Sequence, residues 1–573
     1  MPLTLVDGKV RHWEVRKIGV IGPGIVGMPM AAMLAHARIA EGGASPARVT
    51  VVQRDSTTSG WKVGAINEGR SPIGGVEPGL DDIVASAVAD GLLAATHDYA
   101  ELQDADVVLV CVQTDKRGTV PDYGPLFEAL DRLTEALRHR PEGNIPLVVF
   151  ESTLAPSTMA TMVREHFADR GLVDGRDVLL GNSPNRVMPG RLVERVTTSD
   201  KLAAGLQPVT AELIQRLYRR IVTRATVHRT NSMTAEVVKT LENAYRDVRI
   251  AFTNEVARHC DRRGIDFYRV RERVNDAVAQ RDDSSHDPTA VPTGGLLIPT
   301  LGVGGHCLPK DGILLWWRLL EAGMETDSSL ILEARRINDE SPGDVLRQAE
   351  ATFGALRGRT VALLGAAYRF NSEDTRNSPT LVLAGLLEHQ GAHVTIHDPH
   401  VYPSDQNLER AGLTDDFTRD LPAALEAAEF VFVCTAHDEY RDRRPEIAAA
   451  PRLVGLVDAC NLYSRTDFPD SVAYVGIGRG TTEPDAGFVA EVARAFRNME
   501  LGVANELATV IEFLNEHYAG DRFTTVEFAE VQRLAGTCVT GCDIADPREV
   551  TSSRNGGFES RLVDRARARA ASA

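Results

Sequence analysis

Four glycines and one cysteine fall together in Gly302-Val303-Gly304-Gly305-His306-Cys307-Leu308-Pro309-Lys310-Asp311-Gly312. Glycine has no Cβ, so a turn of this kind lets backbone approach a ligand closely. A cysteine placed there exposes its sulfur, and cationic neighbours favour the thiolate, which is the nucleophilic form. A lone cysteine is more often small apolar filler, so the stretch needs support from the rest of the chain. Lys239 and Asn243 are a second group of interest. They stand four residues apart in a run from Thr234 to Arg263 whose apolar Val238, Leu241, Ala244, Val248, Ala251 and Phe252 recur at helical spacing. That spacing puts Lys239 and Asn243 on one face of a long helix. A solvated helix lysine is the plain alternative.

A third group stands near the start. Lys17-Ile-Gly-Val-Ile21 reads as a buried strand, Gly22-Pro-Gly24-Ile25-Val26-Gly27 follows at once, and Met28 to Ala35 is a good helix former. Strand, GxGxxG and helix in that order are the dinucleotide fingerprint. Gly22 makes the tight turn, Gly24 lets a pyrophosphate approach and Gly27 lets helix and strand pack. The next strand, Val49–Val52, should end in an acid for the adenosine ribose. Gln53, Arg54 and Asp55 stand there instead. Asp55 serves NAD from a shifted position; Arg54 leaves room for the 2′-phosphate of NADP. NAD is the first expectation. Two further apolar runs end in Gln113-Thr114 and in Glu151-Ser-Thr153. Ligands sit beyond the carboxyl ends of parallel strands, so Thr114, Glu151 and Thr153 are candidates. Each also suits a capping or turn role.

Stepping outward, 573 residues suggest three or four domains, and 43% hydrophobic with 25% charged residues is ordinary globular composition. A formal net charge of -17 argues against a nucleic-acid binder. The seven cysteines are odd in number and scattered, which suits reduced thiols in a cytoplasm. Cys538 and Cys542 have no second ligand pair nearby, so no metal is expected. Charged Arg11, Glu14, Arg16 and Lys17 precede the first apolar run, unlike a signal peptide. No run reaches the roughly 18 apolar residues of a membrane span.

The C-terminal half repeats the strand pattern at 359–364, 392–397, 430–434 and 453–458 without a full GxGxxG. A second parallel α/β domain is expected. Arg369 and Arg376 lie in a polar loop between its strands and could clamp phosphates; a solvated loop explains them as well. Gln280 to Thr293 reads as a polar mobile loop. Beyond Gly480, apolar residues from Val489 to Leu514 recur every three or four positions and predict an amphipathic helix. The segment after Thr551 is expected to fray.

In this order the motifs resemble those of the nucleotide-sugar 6-dehydrogenases. The resemblance covers 17–479. It rests on Gly22-x-Gly24-x-x-Gly27, Glu68-Gly-Arg-Ser-Pro-Ile with Glu77-Pro-Gly-Leu80, Glu151-Ser-Thr153, and Ser183-Pro-x-Arg186 with Pro189-Gly190. Met233 to Asp247, Gly304-Gly-His-Cys307 with Pro309-Lys-Asp311, and Asp374-x-Arg376-x-Ser378-Pro379 complete it.

The resemblance implies a cytoplasmic homodimer with two Rossmann-like, doubly wound parallel-sheet domains. A long central helix joins them and forms the subunit contact, and a partly helical extension follows. The expected divisions are 1–230 for NAD, 231–340 for the central helical part with the cysteine loop, 341–480 for the nucleotide sugar, and 481–573 for an extension of unknown role. The implied reaction oxidises the sugar C6 alcohol to a uronic acid through a Cys307 thiohemiacetal and thioester. Lys239 and Asn243 would stabilise the oxyanion. Asp311, Thr153 and Glu151 would position water or move protons. Gly22, Gly24, Ile25, Val26, Gly27, Arg54, Asp55, Thr114, Thr153 and Arg376 would hold the cofactor. Asn185, Arg186, Lys239, Asn243, Gly304, Gly305, Arg369 and Arg376 would hold the substrate, Arg376 across the dimer. The motifs lean towards members acting on 2-acetamido sugars. Asn185 departs from the usual Glu, which is the candidate base for thioester hydrolysis. Asn accepts no proton at neutral pH, so Glu151 or Asp311 takes that role, hydrolysis is slow, or oxidation stops at the aldehyde; a non-catalytic nucleotide-sugar-binding protein is the other alternative.

Overall fold

A computed structural model describes residues 3–6, 8–74, 77–186, 190–278, 295–538, 541–548 and 558–570. The predicted loop 280–293, Pro189 and the start of the tail at 551–557 lie outside the described residues.

The chain is mixed α/β with two parallel-sheet domains. The first sheet has eight strands, in spatial order Val227–Asn231, Lys201–Gly205, Leu179–Asn182, Leu147–Phe150, Val107–Val110, Lys17–Ile21, Arg48–Val52 and Leu93–Thr96. All neighbours are parallel except Leu179–Asn182 with Lys201–Gly205. Alternate residues of the apolar runs feed two different cores. Val107, Leu109, Leu147 and Val149 enter one; Val108, Val110, Val148 and Phe150 enter the other. This two-faced burial explains why these strands read as unbroken apolar runs rather than alternating ones. The chain leaves Lys17–Ile21 for Arg48–Val52 on one side and later returns to Val107–Val110 on the other. That reversal opens a crevice at the strands' carboxyl ends, where the glycine turn lies.

The second sheet has six parallel strands, in order Phe417–Thr418, His393–His397, Thr360–Leu364, Phe430–Val433, Gly455–Asp458 and Ala473–Gly476. A 32-residue helix, Ser232–Arg263, follows the first sheet. Asn231 caps it: its Oδ1 accepts the Thr234 N–H at 2.7 Å.

By backbone proximity the chain divides into one unit of Met1–Glu242, Leu314–Gly323 and Ala508–Cys542, and another of Asn243–Ile313, Met324–Leu507 and Asp543–Ala573. This division differs from the linear one expected from sequence, because the long helix and the extension each contribute to both units.

The extension is more ordered than its sequence suggests. Helix Ala486–Tyr518 has Phe496, Met499, Val503, Leu507, Val510 and Leu514 on its buried stripe. The tail, expected to fray, contains helix Arg561–Ala570. Within the second unit these elements cover the long helix. Phe252 meets Phe496 and Phe558 edge-on at 5.8 and 6.0 Å, His259 stacks on Phe488, and Glu255 accepts from Ser560 Oγ at 2.7 Å. The chain's own extension fills this face of the long helix. Among the described residues, no helix is long and apolar enough to cross a membrane, and no cluster of three or more His, Cys, Asp or Glu side chains is placed to hold a metal.

Candidate active site

In the first unit the glycine turn has the geometry its spacing requires. Gly22 has φ +90°, and a Cβ there would stand 2.9 Å from the Cys111 carbonyl oxygen. A Cβ on Gly27 would strike the Gly22 carbonyl, so helix Gly27–His36 sits against the turn as only glycine allows. A Cβ on Gly24 would meet nothing within 4 Å. That open side, beside the start of helix Gly27–His36, fits a dinucleotide pyrophosphate. Ile25 and Val26 close the turn and are half-buried. At the end of the second strand Arg54 pairs with Glu128 at 3.2 Å, both half exposed. Asp55 is exposed. Thr114 donates to the Thr153 carbonyl at 2.7 Å, which ties two strand ends together.

Glu151, expected among the catalytic groups, is instead a buried anchor. Lys201 Nζ donates to it at 2.8 Å and the Tyr218 hydroxyl donates to its other oxygen. Its side chain is fully covered. Burial, then the Glu151 charge, pushes the Tyr218 hydroxyl and the Cys111 thiol well above their ordinary pKa values. Each of its oxygens has a hydrogen-bond donor from within the protein. Glu151→Gln leaves the Lys201 ammonium buried without its counter-charge. A loss of about 3 kcal/mol follows, read as a lower denaturation midpoint, and adding Lys201→Met recovers part of it.

Arg186 is likewise redirected. Its guanidinium pairs with Glu242 and donates to the Leu534 carbonyl and Thr537 Oγ1, both at 2.8 Å. At 4% side-chain exposure it presents no face to a sugar. The expected substrate contact is thus a framework residue, because a buried guanidinium must satisfy its donors within the protein. Asn185 is buried, and its backbone N–H donates to the Glu151 carbonyl at 3.3 Å. Lys239 is 8% exposed on the long helix. Glu77, from the Glu68–Leu80 motif, accepts the Leu192 N–H at 2.9 Å and the Gly190 N–H at 2.5 Å. Two motifs of the resemblance therefore meet in this unit.

In the second unit Cys307 is exposed and directly precedes helix Leu308–Glu321. Its carbonyl accepts the Asp311 N–H at 3.0 Å. Asp311 is fully buried and accepts from Asn243 Nδ2 and from Lys310 Nζ, each at 2.5 Å. The sequence pattern therefore brings Cys307, Asp311, Lys310 and Asn243 together. Tyr368 packs on the same loop, against Gly304 and Gly305. Arg376 forks onto Asp374, with Nε to Oδ1 at 2.9 Å and Nη2 to Oδ2 at 2.5 Å. Its own chain's Gly305 N–H donates to its carbonyl at 2.7 Å. Within its own chain the Arg376 backbone is thus tied to the cysteine loop. Arg369 lies over the Phe370 ring at 5.5 Å.

The glycines of the cysteine loop have a different use from the one expected. A Cβ on Gly305 would press on the Tyr368 ring at 2.8 Å, and one on Gly304 on the Asn377 carbonyl at 2.9 Å. Gly302 meets Pro379 at 3.1 Å. Asn377 Nδ2 also donates to the Gly305 carbonyl at 2.9 Å. These glycines let the cysteine loop lie flat on the segment 368–379, so protein rather than substrate fills the missing Cβ positions of Gly304 and Gly305. Sequence reasoning missed Tyr368, whose only signal was its place just before Arg369. It also missed His437, whose Nδ1 accepts the Asn371 N–H at 2.8 Å and whose Nε2 bonds Asp398 at 3.1 Å. That buried pair holds the arginine loop from below.

Comparison with known proteins agrees with this layout. The UDP-glucose/GDP-mannose dehydrogenase family matches with its NAD binding domain over residues 16–222, its central domain over 233–340 and its UDP binding domain over 362–465. A UDP-N-acetyl-D-mannosamine dehydrogenase of Pyrococcus horikoshii is 31% identical over 472 residues, 81% of this chain and 99% of the relative. An NDP-N-acetyl-D-galactosaminuronic acid dehydrogenase of Ralstonia solanacearum is 30% identical, over 75% of this chain and 92% of the relative. The crystal structure of an NDP-N-acetyl-D-galactosaminuronic acid dehydrogenase from Methanosarcina mazei superposes with a TM-score of 0.66 at 30% identity, covering 82% of this chain and 96% of the other. The chain belongs to the UDP-glucose/GDP-mannose dehydrogenase family and is an NAD-dependent dehydrogenase of nucleotide sugars.

Proposed function

We propose that the chain oxidises the C6 alcohol of a UDP-N-acetylhexosamine to the uronic acid, with Cys307 as the covalent catalyst. The observation that carries this reading is the exposed Cys307 thiol at a helix start, one turn from the Asn243–Asp311–Lys310 cluster. The names of the relatives from Pyrococcus horikoshii and Ralstonia solanacearum support a 2-acetamido sugar.

Gly22, Gly24 and Gly27 would hold the NAD, which would supply the hydride acceptor for the two oxidations at C6. The residues of the chain do the rest. Once C6 is an aldehyde, Cys307 Sγ adds to its carbon, and the carbonyl oxygen gains the electron pair and a proton. This thiohemiacetal keeps a reactive aldehyde from escaping. Loss of the second hydride leaves a thioester, and water adds to its carbon and expels the thiolate. To Lys239 and Asn243 falls the stabilisation of the oxyanion of each tetrahedral stage. An Asn amide has two N–H donors, and in Asn243 one is used on Asp311. Asp311 therefore orients Asn243, and its carboxylate takes the proton of the thiol or of water. Thr153 positions that water, and Arg369 and Arg376 hold the diphosphate. Asn185 leaves the alternative of a two-electron reaction ending at the aldehyde.

Incubation with NAD and a panel of UDP-, GDP- and dTDP-sugars decides between them. The expected result is two NADH for each UDP-N-acetylhexosamine and a product heavier by the uronate mass change. One NADH per sugar with a trappable aldehyde establishes the shorter reaction instead.

A further inference from the structure

We propose that Thr525–Thr537, which lies beyond the family's matched domains, is a positioning clamp on the helix segment that carries Lys239. The inference rests on the role given above to Lys239. Three contacts within the first unit make the clamp. Asn231 Nδ2 donates to the Thr525 carbonyl at 3.0 Å. That bond fixes the amide so that Oδ1 faces Thr234 N–H, since a flipped amide would set a donor against a donor. Thr230 Oγ1 donates to Glu530 Oε1 at 2.9 Å. Arg186 donates two bonds to the end of helix Phe528–Ala535 and the turn after it, to the Leu534 carbonyl and Thr537 Oγ1, while it pairs with Glu242.

The helix is thus held at its cap, Asn231, and at Glu242, with Lys239 between them. Glu242 is three residues after Lys239 and neighbours it on the helix surface. The matched family domains end at residue 465, so the clamp lies beyond them. A group that stabilises a transition state loses much of its effect if displaced by about 1 Å. A brace at both ends of three helical turns opposes such a displacement.

Full-length Thr537→Val and Thr537→Ser test the clamp, with Thr230→Val as a second cut should the first fold poorly. Hydrogen exchange of the 233–242 amides is read beside that of strand Leu147–Phe150. The clamp predicts exchange about tenfold faster at 233–242 in the Val variants, with the strand unchanged and Thr537→Ser restoring protection. It also predicts kcat about fivefold lower, with the KM for NAD unchanged. Unchanged exchange at 233–242 overturns the clamp whatever the enzyme's substrate. Faster exchange with an unaltered kcat overturns the positioning role. Failure of the wild type to turn over any nucleotide sugar overturns the functional reading alone, and the exchange result still decides the clamp.

Discussion

Cys307→Ser is expected to abolish uronate formation, lowering it by a factor of about 10³ or more. The serine hydroxyl is a far weaker nucleophile at neutral pH, so no thioester forms and the second hydride is not released. Reduced cofactor stops at one per sugar or fewer. Cys307 is exposed and carries no packing role, so the thermal midpoint stays within about 1 °C, as for surface substitutions generally. Activity lost with the fold intact separates chemistry from stability. Substantial uronate from the serine variant would remove the cysteine from the mechanism.

Lys239→Met is the second large effect. Methionine keeps the length of the aliphatic stem but not the ammonium. Loss of one preorganised oxyanion donor lowers kcat by about 10²–10³-fold. The glycine turn at Gly22–Gly27 is untouched, so NAD affinity measured by titration stays near wild type. A variant that raised KM for NAD while keeping kcat would move Lys239 out of the reacting centre.

The parts of the fold legible in the sequence were those fixed by local pattern. Val107–Val110 and Leu147–Phe150 are continuous apolar runs because they are buried on both faces, and such runs are readable without knowing their neighbours. The long helix was legible for the same reason, with its start two residues earlier than expected because Asn231 caps it. What eluded the sequence depends on partners far along the chain. Glu151 reads as a strand-end acid, and only the fold brings Lys201 and Tyr218, 50 and 67 residues later, onto its oxygens. Arg186 reads as a ligand for a sugar until the extension, 348 residues on, supplies the Leu534 carbonyl. Glycines 302, 304 and 305 announce a missing Cβ, but not whether substrate or the Tyr368 segment fills the space. The tail at 561–570 reads as charged and exposed; its Leu562, Val563 and Ala566 are buried, a three-residue stripe too short to be decisive in sequence.

Acid quenching during turnover, followed by mass measurement of the proteolytic peptide that contains Cys307, probes the covalent step itself. A sugar-nucleotide acyl group on that peptide, released by hydroxylamine, is the predicted result. An unmodified Cys307 peptide, found while two reduced cofactors accumulate for every sugar consumed, would contradict it.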